Sequence, residues 1–584
     1  MPYTTVFSVL EHAASGHGKA TALYQPIPAS KPTKYREYSW TEYRQAAIEI
    51  ACGLREMGVN AGEFVALYSE TRAEFYLADM GVMANGSIAA ALYTANPVVE
   101  NLRAVRTIGA RVVFVEDPKT KRMLFEGMRD DPMQITWILL DGEEPHTLTL
   151  DQLRQRGREA MGKKPTLFAQ IQSSYDAQSP AVLYLTSGST GEAKMGLATH
   201  HAIVSNLEMG PKVLPLTSKD CTLAFLPSAH IAQRVVVELL PIVYGMPVYF
   251  SESLMKLPQD MQAVRPTMLL APPRVWERIH ANVAAEIKKR GGLAAKLFYS
   301  GIGLGLKAAE LRRSGQPVPP WISAPLALAD KLLFSKVRAK LGGRLKFAIS
   351  GAAPLGKELA LFFEALGMPL IEGYGLTEGG VTMMNPVDAI KPGSIGKPLP
   401  GIELKIAEDG ELLIRSSTLF SGYYNDPAAT ELVLRDGWLY TGDVAEIDAD
   451  GYVYITGRKK ELLVSSNGKK IYPLRVEAFF KSEPVISQMI LVGDKLPYVT
   501  ALFTVNAAAL PEGANAEAEV KKAVDRVNAH LANFEQIRKF RIIDGEFSVQ
   551  TGELTPTMKV RRGKVLEKYK SLVAEMYQGK EESR

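Results

Sequence analysis

Thr186-Ser187-Gly188-Ser189-Thr190-Gly191, with Lys194 just beyond, brings hydroxyls, glycines and an ammonium into one short stretch. Glycine lets a backbone turn closely past a ligand, and free N–H groups, hydroxyls and a lysine together can ring a phosphate. The stretch is not a G-x-x-x-x-G-K-[ST] loop, because Glu192 and Ala193 separate Gly191 from Lys194. An ordinary surface turn has the same composition, so the downstream residues must decide. Around Ser350-Gly351-Ala352-Ala353, small residues would let the backbone lie flat against an adenine ring. In Leu370-Ile371-Glu372-Gly373-Tyr374-Gly375-Leu376-Thr377-Glu378, Tyr374 can stack on a base and Thr377 can bond a phosphate. Glu378 can hold Mg²⁺, which takes carboxylate oxygens together with phosphate; a helix N-terminal charge is the plainer reading. Asp443, at the end of Gly437–Asp443, suits the two hydroxyls of a ribose. His230 either lines a substrate pocket or caps a helix. Read alone, Lys559 and its basic neighbours are a solvated face.

The elements that must position these residues follow from periodicity. Ser39-Trp40-Thr41-Glu42 is a capping box, and Tyr43, Ala46, Ala47, Ile50, Leu54 and Met57 then recur at helical spacing until Gly58. Phe64–Tyr68, Ala90–Tyr93, Arg111–Val115 and Thr136–Leu140 are short β-favouring runs between helical stretches, the second of which begins near Arg72. Strand–helix alternation predicts a parallel α/β sheet with ligands at the carboxyl ends of strands. Ala181–Leu185 is such a strand, and the hydroxyl-rich loop follows it. Phe347–Leu355 reads as strand, small-residue turn and helix, and Leu370–Glu378 as a repeat of that arrangement. The segment 290–341 reads as helical; Gly301-Ile302-Gly303-Leu304-Gly305 has no preceding β run and is not a dinucleotide loop. Trp276 reads as core. Beyond a charged linker at Gly457–Leu462 lies a smaller unit, with strands at Val485–Val492 and Tyr498–Val505 and a helix near Val520–Leu531.

Composition narrows the class. The 584 residues exceed a single core, and a net charge of +5 is too small at this size to argue for nucleic acid. Cys52 and Cys221 are the only cysteines, too few for a disulfide framework or a Cys-based zinc site. The N-terminus does not read as a signal peptide, and no run is apolar enough to span a bilayer. The expectation is a cytoplasmic protein for which peripheral membrane contact stays open.

Taken in order, Thr186–Gly196, Tyr374–Glu378, Thr441–Asp443 with Gly457-Arg458, and Lys559 resemble the motifs of the AMP-forming acyl-CoA synthetases of the adenylate-forming superfamily. The segments Leu223–Arg234 and Pro273–Ile279, and the ending Thr555-Pro556-Thr557-Met558-Lys559, resemble the long-chain fatty acid branch. Where that family has proline before the loop lysine and glycine after it, this chain has Ala193 and Met195.

The resemblance implies a large α/β domain at 1–456, a hinge at 457–462 and a small mobile α+β domain at 463–584. It implies activation of a fatty acid by Mg-ATP to acyl-AMP, then transfer to coenzyme A. Thr186, Ser187, Gly188, Ser189, Thr190, Gly191 and Lys194 would hold phosphates, with Thr186 and Glu378 on Mg²⁺. Gly351, Glu372, Gly373 and Tyr374 would hold adenine, with Thr377 at the phosphates. Asp443 would take the ribose, and Arg458 the ribose or phosphate region. Lys559 would contact the α-phosphate and the attacking carboxylate. His230 and Gly375 fall in the acyl-pocket segments 230–240 and 349–376, Ser465 and Gly468 near the coenzyme A face, and Lys460 at the hinge. Two rival readings are a fatty-acyl-AMP ligase loading a separate carrier protein and a non-catalytic nucleotide-binding regulator. Chain length of the acid and oligomeric state are not readable from these residues.

Overall fold

The computed structural model describes residues 3–28, 30, 33–187, 193–510, 513–555 and 558–578. Two large, mainly parallel sheets dominate. In one, the strands run Gly422–Tyr423, Ala193–Thr199, Pro180–Ser187, Ile88–Ala91, Phe64–Tyr68, Val112–Val115, Thr136–Leu139 and Leu148–Thr149 across its width. Pro180–Ser187 lies parallel to Ile88–Ala91 but antiparallel to Ala193–Thr199, so these last two strands pair as a β-hairpin at the edge of the parallel region. The second sheet has nine strands, among them Thr222–Ala224, Met268–Ala271, Phe347–Ser350, Leu370–Leu376 and Gly380–Met384. A five-stranded antiparallel sheet carries Trp438–Ile447 against Val453–Arg458.

Local sequence accounts for most of this. Ser39 and Glu42 form the predicted reciprocal cap, and the helix Trp40–Glu56 buries Tyr43, Ala46, Ala47, Ile50 and Leu54. The central strands of the parallel sheets are buried along nearly their whole length, as their unbroken apolar runs require. Gly301, Gly303 and Gly305 lie inside the helix Gly292–Arg313, so no glycine loop exists there. Trp276 is fully buried and donates its indole N–H to the Ala271 carbonyl at 3.1 Å.

One segment departs from expectation. Leu370–Glu378 does not continue into a helix; Leu370–Leu376 turns back into Gly380–Met384 as an antiparallel hairpin. Gly375 is the reason the two strands can close, since a Cβ there would stand 2.4 Å from the Gly380 carbonyl oxygen. Strand then turn was legible. The following apolar residues Val381, Met383 and Met384 suit a strand as well as a helix, and pairing decided it.

The strand Val453–Arg458 runs on through Arg458, and a single 3₁₀ turn, Lys459–Glu461, connects it to the C-terminal body. That body has its own core, built on the strands Ile486–Val492, Val499–Val505 and Ile537–Ile542 with the helix Ala516–Asn528. It rests on the larger body through defined contacts. Arg274 binds the carbonyl and hydroxyl of Ser487, the latter at 2.6 Å, and Lys481 binds the Pro354 carbonyl and pairs with Glu277.

Candidate active site

Residues of the strands Pro180–Ser187, Leu370–Leu376, Trp438–Ile447 and Val453–Arg458, the turn carrying Glu378, and Lys559 of the C-terminal body come together at one mouth. Thr186 and Lys194 face each other across the hairpin, the Thr186 hydroxyl donating to the Lys194 carbonyl at 3.3 Å. Gly188, Ser189, Thr190 and Gly191 lie outside the described residues, as does the side chain of Ser187. The Lys194 ammonium lies 4.7 Å from the centre of the Tyr423 ring, and the Tyr423 hydroxyl donates to the Glu378 carboxylate at 2.5 Å. Burial and the Glu378 charge both push the Tyr423 phenol upward, so it stays a donor. Thr377 is close by: its methyl would stand 3.3 Å from a Cβ on Gly196.

Tyr374 donates its hydroxyl to Asp443 at 2.6 Å, and Arg458 pairs with the other carboxylate oxygen at 2.8 Å. Asp443 and Arg458 are cross-strand partners, which sets this geometry from the sheet. Asp443 is buried, and its N–H donates to the Thr441 hydroxyl at 3.1 Å. Its carboxylate is therefore aimed by its partners on both sides. The Gly442 N–H, inside the strand Trp438–Ile447, binds Glu411 at 2.7 Å, and Glu411 also pairs with Lys459, so one carboxylate ties the strand beside Asp443 to the first residue of the linker turn.

Glu372 behaves differently from its neighbours. Its two carboxylate oxygens accept from the backbone N–H of Leu355 and of Gly393, each at 3.2 Å. Burial lifts its pKa to about 7 against the pull of those two N–H groups. It ties together the loops on either side of the strand, the first being the turn that carries Gly351. In that turn Ala352 has φ of +71°, an unusual value for a residue with a Cβ. Gly351 and Gly373 face one another across adjacent strands, a Cβ on Gly351 standing 3.7 Å from the Gly373 carbonyl oxygen.

Lys559 belongs to the C-terminal body yet lies at this mouth. Its backbone closes a tight turn with Thr555, each N–H bonding the other residue. Burial and the neighbouring Arg458 lower its pKa to about 8, against the attraction of Asp443, Glu378 and Glu461. His230 faces it: burial, then the Lys559 charge, lower the imidazole to about 3. The ring is therefore neutral, and its Nδ1 accepts the Ala232 N–H at 3.2 Å at the start of the helical segment Gln233–Leu239. The capping reading of His230 is seen directly in that bond. The solvated-face reading of Lys559 does not survive this placement: among the charges that act on it are Arg458, Asp443 and Glu378, all on the larger body.

Ser465 and Gly468 sit in the hairpin turn between Leu463–Val464 and Lys470–Ile471. The Ser465 hydroxyl bonds Asn467 at 2.5 Å. Gly468 has φ of +77°, and a Cβ there would meet nothing within 4 Å, so it is the left-handed backbone and not lack of space that asks for glycine. Lys460 is exposed in the 3₁₀ turn. Gly375 is exposed at the strand crossing already described. Sequence reading missed Tyr423 and Glu411. Tyr423 stands just before the Asp426-Pro427 helix start, an unremarkable loop position whose partners become visible only in three dimensions.

Comparison with known proteins gives the family. The AMP-binding enzyme family model matches residues 10–424, and the model of the AMP-binding enzyme C-terminal domain matches 460–581. The chain belongs to the AMP-binding enzyme family. It is 33% identical over 565 residues to the long-chain-fatty-acid–CoA ligase FadD15 of Mycobacterium tuberculosis, covering 92% of each chain. It is 28% identical over 634 residues to the long-chain-fatty-acid–CoA ligase ACSBG2 of Xenopus laevis, covering 99% of this chain and 84% of that one. Its fold matches that of the anthranilate CoA ligase AuaEII solved with anthranoyl-AMP, with a TM-score of 0.75 at 21% identity, covering 98% of both chains.

The donor set can be tested against Mg²⁺. Among the described residues no group of three or more His, Cys, Asp or Glu could hold a metal by itself. Mg²⁺ is commonly held by one or two carboxylates plus substrate phosphates. One oriented carboxylate, Glu378, beside a hydroxyl-bearing hairpin fits that mode.

Proposed function

We propose that this member of the family activates a fatty acid with ATP to acyl-AMP and pyrophosphate, then transfers the acyl group to coenzyme A. One observation carries the reading: Lys559, from the C-terminal body, stands among Arg458, Asp443, Glu378 and His230 of the larger body. That is the arrangement the first half-reaction needs. A carboxylate oxygen attacks the α-phosphorus as the bond to the β-phosphate oxygen breaks, and negative charge must be neutralised on both fragments. Lys559 would meet the α-phosphate and the incoming carboxylate, while Lys194 and the hydroxyl loop would hold the departing phosphates. Glu378 and Thr186 would hold Mg²⁺, which supplies charge neutralisation on the phosphates. Asp443 would bind the ribose hydroxyls and Tyr374, with Gly351 and Gly373, would flank the base. A neutral His230 lets an apolar acyl chain approach without a second buried cation.

In the second half-reaction the coenzyme A sulfur attacks the acyl carbon and AMP leaves with the bonding electrons. Lys559 has no part in that displacement, and the 3₁₀ turn Lys459–Glu461, with Lys460 exposed at its centre, would let the C-terminal body turn. Ser465 and Gly468 would then face the coenzyme A arm. A long acyl chain is the substrate we favour, supported by the activities for which the relatives are named. Long-chain acids reside in lipid, so peripheral contact with a membrane belongs to the same reading.

The test is pyrophosphate release from Mg-ATP across acids of rising chain length, with and without coenzyme A. Release that grows with chain length, and acyl-CoA formed when the thiol is present, are the expected results. Acyl-AMP that accumulates despite coenzyme A would transfer the case to carrier loading, and no release with any acid would overturn the enzymatic reading.

A further inference from the structure

The helix Pro320–Ala329 and the wider turns Asp330–Phe334 that continue it are apolar in sequence but turned outward. No residue of Pro320–Ala329 is buried. Trp321, Pro325, Leu328 and Leu332 recur at intervals of four, three and four, which places them along one face. That face points to solvent: Trp321 is 76% exposed, Leu328 59% and Leu332 50%. The opposite side does pack, with Leu326, Ala329 and Leu333 against the core and Ala329 and Phe334 closing on Gly301 of the helix Gly292–Arg313. The outward stripe is thus not a failed core contact. The neighbouring helix adds Leu293 and Leu297, one turn apart and 74% and 56% exposed.

Charge is concentrated at the same place. Residues 286–340 carry eleven Lys and Arg against three Glu and Asp, a net charge of +8 in a chain whose total is +5. The rest of the molecule is therefore slightly acidic. Lys289, Lys296, Lys331 and Lys336 are exposed and form no ion pair among the described residues. Lys331 adjoins Leu332, Lys336 follows it by four positions, and Lys296 stands between Leu293 and Leu297 along the chain.

We propose that this outer helical face docks the protein onto a bilayer bearing anionic headgroups, with Trp321, Leu328 and Leu332 entering the interface. The proposal names the surface for the membrane contact inferred above and rests on that reading for its partner. An exposed apolar stripe of this size marks an interaction site rather than scattered surface residues. Its chemistry suits the headgroup region: tryptophan prefers that depth, leucines enter the acyl boundary, and lysines lay their stems along it while the ammonium groups reach phosphates. A second copy of the chain is the poorer occupant, because an isologous contact would press two faces of net positive charge together. Docking here leaves the catalytic mouth structurally separate, since the stripe shares no residue with it.

The test uses the full-length protein in flotation with phosphatidylcholine vesicles, with and without about one-third phosphatidylglycerol. Wild-type protein should float with the anionic vesicles at least ~10-fold more than with neutral ones, and added salt should weaken this. The triple variant Trp321→Ser, Leu328→Ser, Leu332→Ser should lose on the order of 10-fold in binding. Changing Lys289, Lys296, Lys331 and Lys336 to Glu should abolish the preference for anionic lipid. Both variants should keep wild-type thermal stability and wild-type turnover of acid supplied in detergent micelles. If wild-type protein floats but the variants float equally, the surface is wrong while the membrane contact stands. If wild-type protein does not float, both fall. Concentration-dependent dimerisation that Trp321→Ser abolishes would assign the stripe to a second copy instead and overturn the proposal.

Discussion

Tyr423 donates its hydroxyl to Glu378 while the face of the same ring lies against the Lys194 ammonium. One aromatic side chain thus aims the carboxylate proposed for Mg²⁺ and seats the lysine proposed for the phosphates. Tyr423→Phe keeps the ring and its contact with Lys194 but releases Glu378. The expected result is a rise of roughly 10-fold in the KM for Mg-ATP and a smaller fall in kcat, with the apparent Mg²⁺ requirement shifted upward, as for loss of one charge-assisted bond. Steady-state kinetics at varied Mg²⁺ would check it. An unchanged Mg²⁺ dependence would remove Tyr423 from the site's working parts.

Asp443 offers a second, sharper case. Its carboxylate is held by Tyr374 on one oxygen and Arg458 on the other. Asp443→Asn preserves the shape but removes the charge that orients Arg458. It should raise the KM for ATP by about 10- to 100-fold, in line with a charged hydrogen bond worth about 1.5–3 kcal/mol. Tyr374→Phe should cost less on its own. In the double variant the two effects should fall short of additivity, because each residue acts through the other. Strict additivity in measured KM values would show that the pair is not coupled.

Much of this site is legible in sequence because most of its groups sit at or just past strand ends. Asp443 is the exception, since the expected turn is instead the middle of the strand Trp438–Ile447, where pairing with Val453–Arg458 continues through it. Thr186, Glu378 and Asp443 each follow a short apolar run, and a β run followed by small or hydroxyl residues is a local signal. What joins them is not local. Tyr423 is separated from Glu378 by 45 positions and from Lys194 by far more, so no spacing rule could pair them. Lys559 is the clearest example: in sequence it is one of several basic residues near the end, and only the seating of the C-terminal body brings it beside the charges of Arg458, Asp443 and Glu378. The hairpin at Leu370–Met384 escapes sequence reading for a related reason. Helix and strand are both compatible with its apolar residues, and cross-strand pairing is a tertiary choice.

The pH dependence of adenylation should carry the signature of Lys559. Its pKa of about 8 lies below its ordinary value of 10.5, so the cation is present below pH 8 and lost above it. Pyrophosphate release should therefore fall as pH rises through about 8 when followed as kcat/KM for ATP, which reports the free enzyme. In linkage terms, the seated arrangement binds fewer protons than the unseated one between about 8 and 10.5. Seating of the C-terminal body is thus disfavoured in full below that window, and the cost is relieved across it. Lys559→Arg, which cannot lose its proton, should remove the alkaline limb from whatever activity it retains. A limb that persists in that variant would belong to another group.

Stability rests partly on a pair that takes no part in the proposed chemistry. Arg234 and Asp79 form an ion pair with neither side chain exposed, and Glu238 beside them is driven strongly toward its protonated form by burial and the Asp79 charge. Asp79→Ala removes the carboxylate paired with the guanidinium and leaves only Glu238 to ionise in its place, so the large domain should lose up to about 3–5 kcal/mol, and Asp79→Ala with Glu238→Gln should lose more. Replacing both residues together by apolar side chains, Asp79→Leu with Arg234→Met, should cost much less. Urea unfolding of the single and double variants would decide. A single variant as stable as wild type would mean that the pair is solvated in solution.

On the proposed reading, the two half-reactions make opposite demands on Lys559. Attack of the carboxylate on the α-phosphorus needs a cation at the point where charge builds up, and a preorganised charge there is worth several kcal/mol of barrier. Displacement of AMP by the coenzyme A sulfur builds no new charge at the α-phosphorus and needs no such group. Lys559→Ala should therefore lower acyl-AMP formation from acid and ATP by at least ~100-fold, the scale of losing one preorganised charge. Thioester formation from supplied acyl-AMP and coenzyme A should stay within a few-fold of wild type. The same variant should bind ATP nearly as well as wild type, because Asp443, Lys194 and the hydroxyl loop remain. Rapid-quench measurement of each half-reaction separates the outcomes. Equal loss in both would mean that Lys559 holds the C-terminal body in place rather than acting on the phosphate, and preserved adenylation would remove it from the chemistry altogether.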